Sequence, residues 1–199
     1  RAAASLNSMV GHKVRIEVPT LEILTQAELN TKLSDKYGQE ISVVRMEFYG
    51  EVSGDAATLF PPDSSAVLVK ILTGSMSIDE AGALREGTLT EVGNIIINSV
   101  IGSISNMLGF RFDFSLPFFS EGMARRLMNS VENKDDTVLV ANAELSIDEL
   151  EIEGSIIVFF SMGSFVELLQ KEKIPYKLQG SGTVLVPEDQ VYTVRLRLA

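Results

Sequence analysis

Glu91 and Asn94 are the residues of this chain whose types and spacing could do chemistry. They stand three positions apart in a run, 88–108, whose apolar spacing predicts a long helix, so both side chains lie on one face of it. A carboxylate accepts hydrogen bonds, and an amide both donates and accepts them. No other group of residues in the chain indicates a specific chemistry.

The predicted helix carries a narrow polar stripe on an otherwise apolar surface. Thr88, Asn98 and Ser105 fall on the stripe with the Glu/Asn pair. One interpretation is an amphipathic helix whose polar side chains simply meet water. The other is a contact surface, because asparagines are mediocre helix formers, and residues that weaken a helix on an exposed ridge are candidates for binding a partner. The pattern alone leaves both open.

The chain also contains an internal repeat. Residues 5–19 match residues 103–117 at an offset of 98 positions, and a second match follows at an offset of 100. Both copies of the first match are typical of a helix end, a capping glycine, a strand and a proline. Two matches at nearly the same offset predict a duplication. The identical pairs are Ser5/Ser103, Met9/Met107, Gly11/Gly109, Pro19/Pro117, Gly54/Gly154, Phe60/Phe160, Ser64/Ser164 and Leu68/Leu168.

The element pattern predicts an α+β fold with pseudo-twofold symmetry, in which helices flank a long, mostly antiparallel central sheet. We expect one domain over residues 1–174, made of two related halves (about 1–86 and 87–174), and a strand-like extension over 175–199 that lies outside the repeat. Helical segments are predicted at 1–10, 26–33, 64–72, 77–85, 88–108, 118–130 and 163–172. Strands are predicted at 13–18, 110–116, 183–186 and 191–198, with two more in each of 41–60 and 136–160.

Composition excludes several classes of function. A formal net charge of −10 argues against nucleic acid or an anionic membrane surface as the partner. The absence of cysteine excludes disulfides and fits a cytoplasmic protein. The longest apolar run, 156–160, is far shorter than the ~20 residues that span a bilayer, and no signal peptide is visible, so we expect no membrane insertion. No cluster of residues has metal-ligand spacing.

The spacing Glu91-x-x-Asn94, then twenty-two residues, then Pro117, resembles the signature of the CheC-type chemotaxis phosphatases, which include CheX and the flagellar switch protein FliY. The resemblance covers most of residues 1–172. One departure is Gly87, with Thr88 beside it, where the family often has Ser or Asp. The surrounding motifs agree: Gly93-Asn94-Ile95, Met107-Leu108-Gly109, Phe60-Pro61 and Phe160.

The resemblance implies a phosphatase that removes phosphate from the aspartyl-phosphate of the response regulator CheY. An acyl phosphate is labile, so the catalyst mainly positions water and stabilises charge. In this reading Asn94 positions the attacking water, Glu91 pairs with a lysine of the partner, and Thr88 and Asn98 are further partner contacts. Magnesium would be held by CheY, so we expect no cofactor or metal of the chain's own.

Two alternatives stay open. One is a non-catalytic binding module of the same fold, either a flagellar switch component or a regulator of the deamidase CheD, whose 175–199 extension pairs with a partner's sheet edge. The other is a structural domain whose polar stripe is only surface. The repeat also predicts that a second Glu/Asn pair, if the first copy has one, lies just upstream of Arg1. A monomer and a dimer are both compatible with two related halves.

Overall fold

Strands and helices are interspersed along the chain. The computed structural model describes residues 7–16 apart from Met9, 20–37, 40–74, 81–123, 137–160, 170, 177–179 and 183–185. The helices are α1 (Gln26–Tyr37), α2 (Pro62–Thr73) and α3 (Ala81–Leu108), with a short 3-10 turn at Asp148–Leu150. The strands are β1 (Arg15–Ile16), β2 (Thr20–Thr25), β3 (Glu40–Gly50), β4 (Gly54–Phe60), β5 (Phe112–Phe114), β6 (Phe118–Met123), β7 (Thr137–Ile147), β8 (Ile152–Phe160), β9 (Lys177–Gln179) and β10 (Thr183–Leu185).

Eight of these strands form one antiparallel sheet. Its order is β1-β7-β8-β4-β3-β5, with β2 also paired to β7 and β6 also paired to β3. Strands β9 and β10 form a separate two-stranded antiparallel sheet. The predicted α+β fold with an antiparallel central sheet is therefore confirmed.

The strand pairing follows the predicted pseudo-twofold symmetry. At the centre of the sheet, Ala57 of β4 pairs with Ile157 of β8, its counterpart in the repeat. The edges match as well, because β1 and β2 of the first half line β7, whereas β5 and β6 of the second half line β3. Each half thus completes the edge of the other half.

The repeated glycines have physical reasons. Gly11 and Gly109 have φ angles of 73° and 67°, the left-handed region that glycine adopts without steric cost at a helix end. Gly54 and Gly154 lie against neighbouring backbone at equivalent places. A methyl group on Gly54 would lie 1.9 Å from the Phe159 carbonyl oxygen, and one on Gly154 would lie 3.1 Å from the Leu59 carbonyl oxygen.

Each face of the sheet has its own core. Helices α2 and α3 cover one face, where the buried side chains include Val44, Phe48, Phe60, Leu89, Ile96, Ile156 and Phe160. Helix α1 packs on the opposite face, where the core consists of Leu24, Leu29, Leu33, Tyr37, Ile41, Val43, Ala57, Leu59, Ile157 and Phe159. Because successive strand residues point to opposite faces, β3 and β4 contribute to both cores.

Two predictions about helices are wrong in part: the helix over 118–130 and the break between 77–85 and 88–108. Phe118–Met123, predicted as part of a helix over 118–130, is strand β6, because it pairs along the edge of β3 and its alternate residues face opposite sides of the sheet. The segments 77–85 and 88–108, predicted as two helices, are joined where the structure describes them, since α3 runs unbroken from Ala81. Gly87 does not end the helix because the core residue Leu89 anchors the next turn.

Most other elements follow the sequence, but strand β2 (Thr20–Thr25), which pairs with β7, was not predicted. The hairpin over 41–60 is confirmed as β3 and β4, and the short helix predicted at 26–33 extends to Tyr37. Residues 183–185 form a strand, whose partner β9 was not predicted. The predictions for 1–6, 9, 17–18, 77–80, 124–130, 136, 163–169, 171–172, 186 and 191–198 lie outside the described residues.

Candidate functional site

Helix α3 lies flat on the sheet and carries the predicted site. The side of the helix that faces the sheet is fully buried, with Leu89, Ile96, Ile97 and Ile101 all at 0% exposure. These residues recur at helical spacing, so their burial fixes the rotation of the helix about its axis. The polar stripe is consequently held on the outer side of α3.

Gly93 allows the helix to approach the sheet closely, directly beside the candidate residues. A methyl group at this position would lie 2.5 Å from Val44 Cβ, 2.6 Å from Val44 Cγ1 and 2.8 Å from Thr58 Oγ1. Val44 and Thr58 are themselves buried in β3 and β4. The glycine therefore sets the distance between the sheet and Asn94, the next residue in the helix.

All four predicted site residues lie on this outer side of α3. Glu91 is exposed, whereas Thr88, Asn94 and Asn98 are half-buried. Glu91 and Asn94 are separated by a rise of about 4.5 Å along the helix axis. Among the residues that the structure describes, no ion pair joins Glu91 to another side chain. Its carboxylate is thus open to a cation from outside.

Asn98 has a definite structural partner. Its Nδ2 donates to Asn94 Oδ1 at 2.6 Å and to the Asn94 carbonyl oxygen at 2.9 Å. The first bond fixes the side-chain amide of Asn94, and because an amide oxygen has two lone pairs, one is left to accept from water. Sequence analysis predicted Asn98 only as a partner contact. The structure shows it one helical turn away, orienting Asn94.

At one position on either side of the four residues, the outer surface of α3 carries no side chain. Gly87 precedes them and Gly102 follows them on the same side of the helix, and no atom lies within 4 Å of the place where either Cβ would be. Unlike Gly93, neither glycine is required by packing within the described part of the chain. A partner can therefore approach the helix backbone at both ends of the polar stripe.

An ion-pair network that sequence analysis missed holds the start of α3. Arg85 Nη2 donates to Ser65 Oγ of α2 at 2.8 Å and to Ser42 Oγ of β3 at 3.3 Å. Arg85 Nε lies 2.8 Å from Glu121 Oε1 of β6, although its N–H is not aligned for a hydrogen bond. The sequence did contain an indication of this network, because Arg85 is the only Lys or Arg between residues 81 and 110. Its partners, however, come from three other elements.

Comparisons with known proteins agree with the fold. FliY from Thermotoga maritima is 19% identical, with a TM-score of 0.67 over 86% of this chain and 88% of that chain. CheX in the CheX–CheY–BeF3–Mg2+ complex from Borrelia burgdorferi is 20% identical, with a TM-score of 0.54 over 80% and 93%. FliM in the FliM–SpeE complex from H. pylori is 14% identical, with a TM-score of 0.58 over 86% of each chain.

At these identities the likeness shows the fold, so the resemblance predicted from the Glu/Asn signature is confirmed at that level. A separate match concerns the end of the chain, where residues 161–199 fit the family model of the FliF N-terminal domain. The domain boundary near residue 174 stays a prediction. No helix within the described residues is both long and apolar enough to cross a membrane.

Proposed function

We propose that this chain, which shares its fold with FliY, CheX and FliM, is a cytoplasmic phosphatase for the aspartyl-phosphate of a CheY-type response regulator. The observation that carries the proposal is the placement of Glu91 and Asn94 side by side on the outer side of α3, with Asn98 holding the Asn94 amide. The complex of CheX with CheY supports a partner of this class, since its BeF3 stands in for a phosphoryl group.

The chemistry asked of the chain is modest. Hydrolysis forms a bond from a water oxygen to phosphorus and breaks the phosphorus–oxygen bond of the acyl phosphate, which releases an aspartate carboxylate and inorganic phosphate. Asn94 accepts a hydrogen bond from the attacking water and so holds its oxygen toward phosphorus. Glu91 binds a cationic side chain of the partner and fixes the register of the two proteins. Mg2+ held by the partner neutralises charge on the phosphoryl oxygens.

The direct test measures the decay of phosphorylated CheY from the same organism with and without this chain. We expect faster decay, lost in Asn94→Ala and in Glu91→Gln. Matched controls come from the same helix: Asn106 is exposed about 18 Å from Asn94 along the axis of α3, and Glu86 is exposed on a different side of the helix from Glu91. Asn106→Ala and Glu86→Gln should keep full activity. Acceleration that survives Asn94→Ala would refute the assigned site.

A second candidate is a non-catalytic module of the flagellar switch or a regulator of CheD. It is favoured by the similarity to FliM and by the FliF-type match over residues 161–199, which lies outside the repeat for most of its length. This candidate predicts binding of CheY, CheD or a flagellar protein with no change in the decay of the acyl phosphate. The decay assay, combined with a binding measurement, separates the two functions.

A further inference from the structure

The second face of the sheet is covered over only part of its length. Helix α1 places Leu29, Leu33 and Tyr37 over the inner residues of β3 and β4. Farther along β3, the side chains on this face change from apolar to polar and charged, at Arg45, Glu47 and Tyr49. Within the described residues, no helix packs over this end of the face.

Three of the exposed large apolar side chains of the described part collect there. Leu116 is 88% exposed, Phe118 is 67% exposed and Tyr49 is 45% exposed. Phe118 stands opposite Arg45, and Tyr49 stands opposite Asp113, so their positions fall about 14 Å apart along β3. Leu116 belongs to the short connection between β5 and β6. Exposed apolar groups that cluster in this way are typical of an interaction site.

The charges around these side chains are mainly negative. The guanidinium of Arg45 is already paired with a carboxylate, because its Nε and Nη2 both lie 2.8 Å from Asp55 Oδ1. Glu47 of β3 is directly opposite Asp55 of β4, and Asp113 adds a further carboxylate on β5. Burial raises the pKa of Asp55 and the nearby Glu47 raises it further, although Arg45 acts in the opposite direction. The local field therefore attracts a positive charge.

We propose that this aromatic–acidic surface, formed by Glu47, Tyr49, Asp113, Leu116 and Phe118, binds a segment of a partner protein in which Lys or Arg side chains accompany apolar ones. The exposed leucine and rings would be covered by the apolar side chains of that segment, and Glu47 and Asp113 would pair with its cations. Nucleic acid and anionic lipid do not fit, because both carry negative charge. The surface faces away from α3, since Phe48 and Val44 occupy the alternate positions of β3, so it is separate from the Glu91/Asn94 site.

The test uses the full chain and a fluorescein-labelled twelve-residue peptide in which lysine alternates with leucine. Its affinity is measured by fluorescence anisotropy at low ionic strength. We expect at least about tenfold weaker binding for the double variants Leu116→Ser/Phe118→Ser and Glu47→Gln/Asp113→Asn. Both positions of the first pair are mostly solvent-exposed, so the folded state should persist, and equal urea midpoints would verify this.

Control variants separate the surface from the overall negative charge. Glu40→Gln/Glu86→Gln changes the net charge by the same amount at exposed positions elsewhere, and Leu84→Ser removes an exposed leucine of α3. These controls should bind the peptide like the unmodified chain. Equal weakening by Glu40→Gln/Glu86→Gln would overturn the proposal, as would binding that is unaffected by both surface variants.

A second copy of the chain is the competing occupant. If sedimentation shows a dimer that Leu116→Ser/Phe118→Ser dissociates, the surface is a self-association interface and the proposal of a basic partner fails. A chain whose sedimentation is the same with and without these substitutions, and whose peptide binding depends on them, supports it. Glu91→Gln should leave peptide binding unchanged, so this result and the phosphatase result are independent.

Discussion

Replacing Gly93 with alanine tests how closely α3 must lie on the sheet. The new methyl group would meet Val44 Cβ at 2.5 Å, about 1 Å short of an ordinary carbon–carbon contact. Both Val44 and Thr58 sit in central strands and are buried, so the helix has to move outward by a similar distance. Overpacking of this kind costs about 1–3 kcal/mol, against which alanine gains about 1 kcal/mol over glycine inside a helix.

Gly102→Ala is the matched control, because the same change is made in the same helix where no atom lies within 4 Å of the new methyl group. It should stabilise the protein by about 1 kcal/mol. The two variants should therefore differ by the overpacking cost alone, about 1–3 kcal/mol, or roughly 2–12 °C in Tm for a chain of this size. Urea unfolding and thermal melts measure the difference.

The same displacement should lower activity. A shift of about 1 Å in a positioning group can reduce a rate by about 100-fold, so Gly93→Ala should slow the decay of phosphorylated CheY far more than Gly102→Ala does. Val44→Ala should not rescue it, since the closest contact involves Val44 Cβ, which alanine retains. A Gly93→Ala protein as stable as Gly102→Ala would refute the close-packing argument.

Three further predictions follow from individual contacts. Asn98→Ala removes a hydrogen bond to Asn94 worth about 1 kcal/mol, so phosphatase activity should fall about fivefold and Tm should fall by no more than about 4 °C. An unchanged rate would mean that Asn94 needs no such support. The pKa of Asp55 is raised, so this group stabilises the fold below its ordinary pKa of 3.8, and the stabilisation is lost as pH rises through the raised pKa. Urea midpoints of the unmodified chain should therefore fall across this pH range relative to those of Asp55→Asn. Parallel pH profiles of the two midpoints would contradict this. Arg85→Ala should destabilise the protein by about 2 kcal/mol in urea unfolding, because Glu121 and two serines lose their partner, and Arg85→Lys should restore only part of this loss.

The symmetry of the fold could be predicted from the sequence because identical residues recur where the backbone has the same requirement in both halves. Gly11 and Gly109 end helices, and Gly54 and Gly154 lie against backbone, so the repeat was visible as spaced glycines. Glu91 and Asn94 could be placed on one face because helical spacing alone decides this. These inferences depend on local geometry and therefore need no knowledge of distant contacts.

Other features depend on partners that are remote in sequence. Phe118 and Phe119 look the same in a helix and in a strand, and only pairing with β3, more than 70 residues earlier, makes them a strand. Gly93 could be recognised as part of a motif, but its contact with Val44 follows from how α3 crosses the sheet. The network around Arg85 likewise joins three separate elements, so its members share no pattern along the chain.

The exchange of edge strands between the two halves has a consequence for the history of the protein and for its folding. A single ancestral copy would have left the outer edge strand of its hairpin unpaired, so it could complete its sheet only by exchanging edge strands with an identical chain. Fusion of the genes would have made that assembly intramolecular and independent of concentration. The cost is kinetic, since pairs such as Thr20 with Asn142 must close a loop of more than 100 residues before either half is complete. Neither half should fold when it is expressed alone.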